Sequence, residues 1–278
     1  MVSVLMTSYN RQQYIAESIE SVLASSFTDF ELIIVDDAST DSTVDIIKNY
    51  AAKDSRIKFY INNQNLGDYP NRNKAASYAV GKYLKYVDSD DTITTEGLKI
   101  MVNSMEQYPD ARFGLCALNP LAERPFPFML TPNEAYRYHF FGPGLFHSGP
   151  LNAIFLKSAF DAIGGFKTGR MVSDTDMWYR MGLEYPVVLI CDGLVTQRRH
   201  EGQELDDRRD FILAGEKIKW HYLLNNDCNL NPAELRQIKN KRLKRYIGFM
   251  LSGIRRGNWH QVMNYCKCYR FVTKIKLQ

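Results

Sequence analysis

The stretch Lys85-Tyr86-Val87-Asp88-Ser89-Asp90-Asp91 decides how this chain is read. Residues 83–87 form a short, mostly apolar run that fits a strand, and it ends in three carboxylates within four residues. In open α/β sheets, ligands sit just beyond the carboxyl ends of the strands. Three acids at that point repel one another unless a cation joins them. A hard divalent ion such as Mg²⁺ or Mn²⁺ takes oxygen ligands and bridges one or two carboxylates to a substrate diphosphate. The plainer alternative is a solvated turn with helix-capping Asp.

The residues before this stretch favour the first reading. Val2 to Thr7 is a β-branched and apolar run suited to a buried parallel strand. Ser8-Tyr9-Asn10-Arg11 breaks it, and Tyr14, Ile15, Ser18, Ile19, Val22 and Leu23 then recur at helical spacing. Phe30 to Val35 is a second buried strand, ending in Asp36-Asp37. Residues 38–42 offer caps for a helix from about Ser42 to Ala52, and Ile57 to Ile61 is a third strand. A polar loop over 62–71 leads to a helix over about 71–80, with Gly81 as its stop. Strand and helix alternate as far as residue 91, which predicts a parallel sheet with helices on both faces. Acids at the ends of two such strands converge on one edge. The chain has no G-x-G-x-x-G after its first strand and no G-x-x-x-x-G-K-[ST], which argues against dinucleotide and P-loop folds.

Beyond residue 93 the pattern loosens. A helix is expected over 95–107, a strand over 112–118, and Pro- and Phe-rich or Gly-rich loops over 120–132 and 139–150. A strand over 152–156, a short helix over 157–163 and a Gly164-Gly165-Phe166 turn follow. Ser173 is the expected N-cap of a helix carrying Asp174, Asp176, Trp178 and Arg180. Strands over 187–191 and 194–196 close the body.

Composition adds limits. With 278 residues and 45% hydrophobic content the chain is ordinary for a globular protein. It has no apolar run of about 18 residues that would span a membrane. Its start enters a strand directly, without the basic region and cleavage site of a signal peptide. The five Cys read as reduced thiols, and Cys266-x-Cys268 lacks the partners of a zinc site. The expected location is cytoplasmic, at most peripheral at the inner face of the membrane. Residues 206–278 hold 16 Lys+Arg and 6 Asp+Glu, against 19 and 25 in residues 1–205, so an acidic body carries a basic tail.

Four stretches together resemble the family 2 glycosyltransferases: Ser3-Val4-Leu5-Met6-Thr7-Ser8-Tyr9-Asn10, residues 35–41, Val87-Asp88-Ser89-Asp90-Asp91, and Ser173-Asp174 followed by Trp178 and Arg180. The resemblance covers roughly residues 1–200. It implies a GT-A fold, a Rossmann-like, mostly parallel central sheet flanked by helices. It divides the chain into a transferase domain over 1–205, with a nucleotide-binding half (1–91) and an acceptor half (92–205), and a basic helical extension over 206–278. It implies an inverting transfer from a nucleotide-diphospho sugar, with uridine as the expected base, to a saccharide or lipid-linked saccharide acceptor, as in bacterial surface polysaccharide synthesis.

By position, the resemblance implies that Thr7 and Tyr9 contact the base, Asp37 hydrogen-bonds it and Asp36 supports Asp37. Arg72, in Asn71-Arg72-Asn73, holds the base or diphosphate. Asp88 and Asp90 form the D-x-D, with Asp90 and the adjacent Asp91 toward Mn²⁺ or Mg²⁺ and Asp88 toward nucleotide and metal alike. Asp174 is the general base. The family has Glu where this chain has Ser173, but the second acid is the one assigned the chemistry. Arg199 and His200 stand where basic residues approach the diphosphate, and His200 is a further candidate metal ligand.

Plainer readings accompany each assignment. Asp174 fits a first-turn acid favouring the helix dipole, and Asp176 is a rival base on another face of the same helix. Asp36 fits a turn former. Trp178 fits core or an acceptor-stacking wall, and His147 fits a structural or an acceptor-facing role. A non-catalytic nucleotide-sugar-binding scaffold and a sugar nucleotidyltransferase are the rival functions. In the tail, Pro232 is expected to start a helix capped by Asn231. Its apolar face is expected to pack on the body or on a second copy, and its charges suit an anionic membrane surface. No nucleic-acid-binding motif accompanies the charge.

Overall fold

A computed structural model describes residues 1–117, 124–167, 169, 171–200, 211–224 and 230–277. The strands β1 (Val2–Ser8), β2 (Phe30–Asp36), β3 (Ile57–Ile61) and β4 (Tyr83–Tyr86) form the parallel half of an eight-stranded sheet. β5 (Thr92–Ile93) lies outside that sheet. β6 (Phe113–Ala117), β7 (Phe128–Leu130), β8 (Ala153–Leu156) and β9 (Val187–Cys191) complete it in the order β3-β2-β1-β4-β8-β6-β9-β7. β8 runs antiparallel to both β4 and β6, so the sheet is mixed but mostly parallel. β10 (Val195–Thr196) pairs with β5 in a separate ribbon.

The layers follow from alternation along the strands. Val2, Val4 and Met6 of β1 join one core cluster, with Ile15, Ile19 and Val22 of α1 (Ile15–Leu23) and Leu98 and Met101 of a helix over Gly97–Glu106. Leu5, Ile33 and Val35 face the opposite cluster. In chain order the helices after α1 are α2 (Thr43–Ala51), α3 (Asp68–Ser77), α4 (Gly97–Glu106), α5 (Pro132–Phe141), α6 (Lys157–Ala162) and α7 (Ser173–Glu184). The order runs outward from β1 in both directions, so the crevice between the carboxyl ends of β1 and β4 is a topological switch point. The acid cluster follows β4 into that crevice.

Five expectations are corrected. α3 starts at Asp68, not Asn71, because Pro70 is harmless in a first turn whose N–H groups have no helical partner. It ends at Ser77, and Gly81 is required by a close approach instead, since a Cβ there would lie 2.6 Å from the Ser3 amide nitrogen. The expected loop over 120–132 contains β7, a three-residue edge strand held by pairing with β9. Residues 133–138, for which no element was expected, form most of α5, which runs three residues into the loop expected over 139–150; its capping box Thr131-Pro132-Asn133-Glu134 is a sequence-level start signal. Ser173 lies inside α7, where its hydroxyl donates to the Lys167 carbonyl rather than capping the helix. Residues 118–123 of the expected strand and loop, the boundary at 205/206, Arg208 and Cys228 lie outside the described residues.

The tail folds as α8 (Ile212–Leu224), α9 (Pro232–Arg255) and α10 (Trp259–Thr273), and Asn231 forms the expected cap, with a capping box to Glu234. Trp220, Leu223, Ile238, Tyr246 and Val272 belong to the same core cluster as β1 and α7. Glu216, 2% exposed, accepts hydrogen bonds from Lys219 (3.1 Å), Trp220 Nε1 (2.9 Å) and Arg242 Nε (3.1 Å), which ties α8 to α9. Arg137 of α5 pairs with Glu234 of α9 at 2.7 Å. Burial pushes the Glu216 carboxyl up, but the charges of Lys219 and Arg242 win and hold it at about 2.

A lowered folded-state value contributes stability that is complete above the ordinary 4.5 and is lost as pH falls towards about 2. Glu216→Gln leaves two buried cations without a carboxylate and should cost about 3–5 kcal/mol in urea unfolding at neutral pH. It should also flatten the acid limb of the stability curve. An unchanged acid limb would show that the cluster does not hold the tail.

Candidate active site

The end of β1, the β2–α2 loop, the start of α3 and the turn after β4 enclose a cavity of about 630 Å³. Thr7, Tyr9, Asp37, Asp68, Arg72, Asp88, Asp90 and Asp91 all line it. Tyr9 stands at the rim, 44% exposed, and offers a flat ring.

The two acids after β2 differ. Asp36 is fully buried and does not line the cavity. It accepts from Ser8 Oγ (2.8 Å), Ser39 N (2.8 Å) and Ser39 Oγ (2.6 Å), and so fastens the loop to β1. Asp37 lines the cavity. Its Oδ1 accepts from Asn62 Nδ2 (2.7 Å) and Leu66 N (2.9 Å), and its Oδ2 accepts from Gly67 N (2.9 Å). A carboxylate has about four acceptor positions. Three are taken here by the loop that leads into α3.

Arg72 is the buried cation of the site. Its Nε donates to Asp68 (2.7 Å) and its Nη1 to Asp88 (2.6 Å), and its guanidinium lies 5.5 Å from the Tyr86 ring centre. Burial pushes the guanidinium down, but Asp68 and Asp88 outweigh it and keep it charged. Asp68 was not foreseen. It becomes visible once α3 is known to start there, because Asp68 and Arg72 are then an i,i+4 pair.

Asp90 Oδ2 accepts from Arg11 Nε (3.1 Å) and lies 3.0 Å from His200 Nε2, whose ring stacks on Tyr14 at 4.4 Å. His200 thus reaches the acid cluster. Arg11 was missed, since it stood in a stretch read only as a strand break. Asp91 is 3% exposed and accepts from the Arg198 amide (2.8 Å). Burial, then the charge of Asp88, pushes its carboxyl up to about 7. Arg199 is exposed and does not line the cavity, and the Arg198 side chain reaches Glu17 at 2.7 Å instead. His147 is exposed outside the cavity, its ring 4.6 Å from that of His139.

Among the described residues, no three His, Cys, Asp or Glu side chains converge as a closed metal cage. The donor set nevertheless fits a hard cation shared with a diphosphate. Asp88 and Asp90 both face the cavity, and such ions are held by one or two carboxylates plus phosphate oxygens.

On α7 the two rival acids separate. Asp176, 7% exposed, is held by Arg180 Nε (2.6 Å), the Tyr222 hydroxyl (2.7 Å) and Lys167 Nζ (3.3 Å). Arg180 also donates to the carbonyls of Ile163 (2.6 Å) and Gly165 (2.7 Å). This network joins α7 to α8 and to the turn before it. Asp174 is half-buried in the first turn, where its carboxylate accepts from Thr175 N at 2.6 Å. It lies beside Tyr69 of α3, whose hydroxyl is pushed up by burial and then by the Asp174 and Asp68 charges. Asp174 therefore stands against the helix that carries Asp68 and Arg72. Trp178 is core: it is fully buried, stacks on Phe155 at 5.6 Å and donates to the Ser148 carbonyl at 2.6 Å.

The family model "Glycosyl transferase family 2" matches residues 3–164, more than half of the chain. The chain belongs to that family. A putative teichuronic acid biosynthesis glycosyltransferase, TuaG of Bacillus subtilis, is 45% identical over 91 residues, 33% of this chain and 36% of that protein. The matches span about two-fifths of the length of the first curated relatives. Among solved structures, S. aureus TarS 1-349 in complex with UDP-GlcNAc aligns with a TM-score of 0.62 at 19% identity, covering 98% of this chain and 91% of that one. The mannosyltransferase PcManGT of Pyrobaculum calidifontis, in complex with GDP-Man and Mn²⁺, aligns with a TM-score of 0.65 at 15% identity, covering 98% and 87%. At such identities these two structures establish the fold, which is the expected GT-A arrangement with a helical C-terminal segment.

The two α7 acids should separate by stability alone. Asp176→Asn breaks a buried charge network and should cost about 3 kcal/mol or more in urea unfolding. Asp174→Asn acts on a half-buried first-turn acid and should cost less, about 0.3–1 kcal/mol from the helix dipole. Equal losses would mean that Asp174 is also a structural acid.

Proposed function

We propose that this protein is an inverting glycosyltransferase of surface polysaccharide assembly. It moves a sugar from a nucleotide-diphospho sugar, a UDP-sugar, to a hydroxyl of a saccharide or lipid-linked saccharide. The observation that carries this reading is the convergence of Asp37, Arg72, Asp88 and Asp90 on one cavity at the switch point of the sheet. Asp174, beside Tyr69 of the helix that supplies Arg72, does not line that cavity and would serve from the acceptor side as the base of a single in-line displacement.

The protein's groups divide the work. Tyr9 and Thr7 bound the space for the base, and the remaining acceptor position of Asp37 suits a base N–H. Arg72, fixed by two carboxylates, meets the diphosphate side. Asp88 and Asp90 would hold Mn²⁺ or Mg²⁺, which supplies charge stabilisation to the departing diphosphate. The acceptor hydroxyl oxygen bonds to the anomeric carbon as the carbon–oxygen bond to the diphosphate breaks. The hydroxyl proton passes to the Asp174 carboxylate, and the nucleoside diphosphate leaves with the bonding pair. TuaG, whose name places it in teichuronic acid biosynthesis, supports the polysaccharide context.

Titration calorimetry tests the donor half. UDP should bind more tightly with Mn²⁺ than without it, and in preference to GDP, CDP and dTDP, and Asp90→Ala should abolish the metal dependence. Asp174→Asn should retain UDP binding while sugar transfer from the UDP-sugar that wild type uses falls on the order of 10² to 10⁴. Loss of all nucleoside diphosphate binding in wild type would move the non-catalytic scaffold reading ahead.

A further inference from the structure

The α9–α10 hairpin carries large apolar side chains that the fold leaves uncovered. Ile247, Leu251 and Ile254 follow at i, i+4 and i+7 on α9 and are 42%, 52% and 50% exposed. Trp259 and Met263, one turn apart on α10, are 66% and 58% exposed. Scattered apolar exposure is normal, but a clustered row marks an interaction site. Ile254 and Trp259 flank the hairpin turn. Gly253 packs directly on Val262, where a Cβ would come within 2.9 Å of Val262 Cγ2, so the helices touch closely at this end. Past Met263 the same helical face continues with Lys267, Arg270 and Lys274, all exposed. Residues 235–278 contain twelve Lys and Arg and no Asp or Glu.

We propose that the tip of this hairpin docks on an anionic lipid bilayer. Leu251, Ile254, Trp259 and Met263 enter the headgroup boundary, and Arg255, Arg256 and Lys267 meet lipid phosphates. Charge complementarity selects this occupant. A second copy meeting the hairpin through the same face would set these cations against their own counterparts, with no acid in residues 235–278 to answer them. A bilayer supplies both the anions and the apolar layer, and an exposed Trp suits the headgroup level. The hairpin lies on the surface, since no helix among the described residues is long and apolar enough to cross a membrane. This inference does not rest on the transferase reading.

Co-sedimentation of the full chain with phosphatidylcholine vesicles, and with vesicles holding an equal share of phosphatidylglycerol, tests it. Trp178 and Trp220 are buried, so a change in emission on adding vesicles reports Trp259. Binding should occur on the phosphatidylglycerol vesicles, weaken with salt and shift the emission to the blue. Ile254→Ser with Trp259→Ser should weaken binding on the order of 10². Arg255→Gln with Arg256→Gln should weaken it about 10-fold or more. All four positions are exposed, and circular dichroism checks that both variants fold. Absence of binding at low salt, or unchanged binding in the Ser pair, overturns the proposal. So does a dimer in light scattering that the Ser pair dissolves, which would assign the patch to a second copy.

Discussion

Everything in the site depends on one buried cation. Arg72 lies between Asp68 and Asp88 with its guanidinium near the Tyr86 ring, and the Tyr86 hydroxyl donates to the Arg72 carbonyl at 3.1 Å. Five acids line the same cavity: Asp37, Asp68, Asp88, Asp90 and Asp91. Packed without a counter-charge they would neutralise by taking up protons. Arg72 draws one acid from the start of α3 and one from the turn after β4. It therefore joins the helix to the strand end and makes the acid cluster tolerable at once. A Lys would meet the two acids as a single point charge, whereas the guanidinium presents separate donors in a fixed fork.

The cavity is preformed by polar fasteners rather than by apolar packing. Asp36 binds its own loop to β1 through Ser8 and Ser39, and Asp37 gathers the backbone of Leu66 and Gly67. Adjacent residues on one strand point to opposite sides. The pair Asp36-Asp37 can therefore fasten one loop on one side and present an acceptor to the cavity on the other. Neighbouring acids that look redundant in sequence do separate work.

The parallel half of the sheet was legible because buried strands ending in acids are a local signal. Each of β1 to β4 could be read from apolar runs, and the convergence of Asp37, Asp88 and Asp90 followed from the one-edge rule. What was not legible depended on tertiary context. Asp68 and Arg11 are ordinary loop residues until α3 and β1 set their positions. β7 is too short to show a period and exists through its pairing with β9. Helix α5 carries a local start signal, the capping box of Thr131 and Glu134, but it follows a Pro-rich stretch whose residues otherwise favour loop. Asp174 and Asp176 could not be separated by spacing, since the distinction lies in Tyr222, 46 residues further along the chain.

That last contact shows how the tail bears on the site. The first turn of α7 stands between Tyr69 of α3 and Tyr222 of α8, with Asp174 facing the former and Asp176 bonded to the latter. The two positions are two residues apart, so they lie on different faces of the helix. A tail that merely added surface would not need to deliver a hydroxyl to a buried carboxylate beneath the candidate base. Glu216 then locks α8 to α9 through Arg242, and Glu234 locks α9 to α5 through Arg137. The chain of contacts runs from Asp176 through α8 and α9 and back to the acceptor half. With the Tyr136 hydroxyl of α5 donating to the Tyr179 carbonyl of α7, the helix that carries Asp174 is held in a closed ring of contacts, of which the C-terminal helices supply one side.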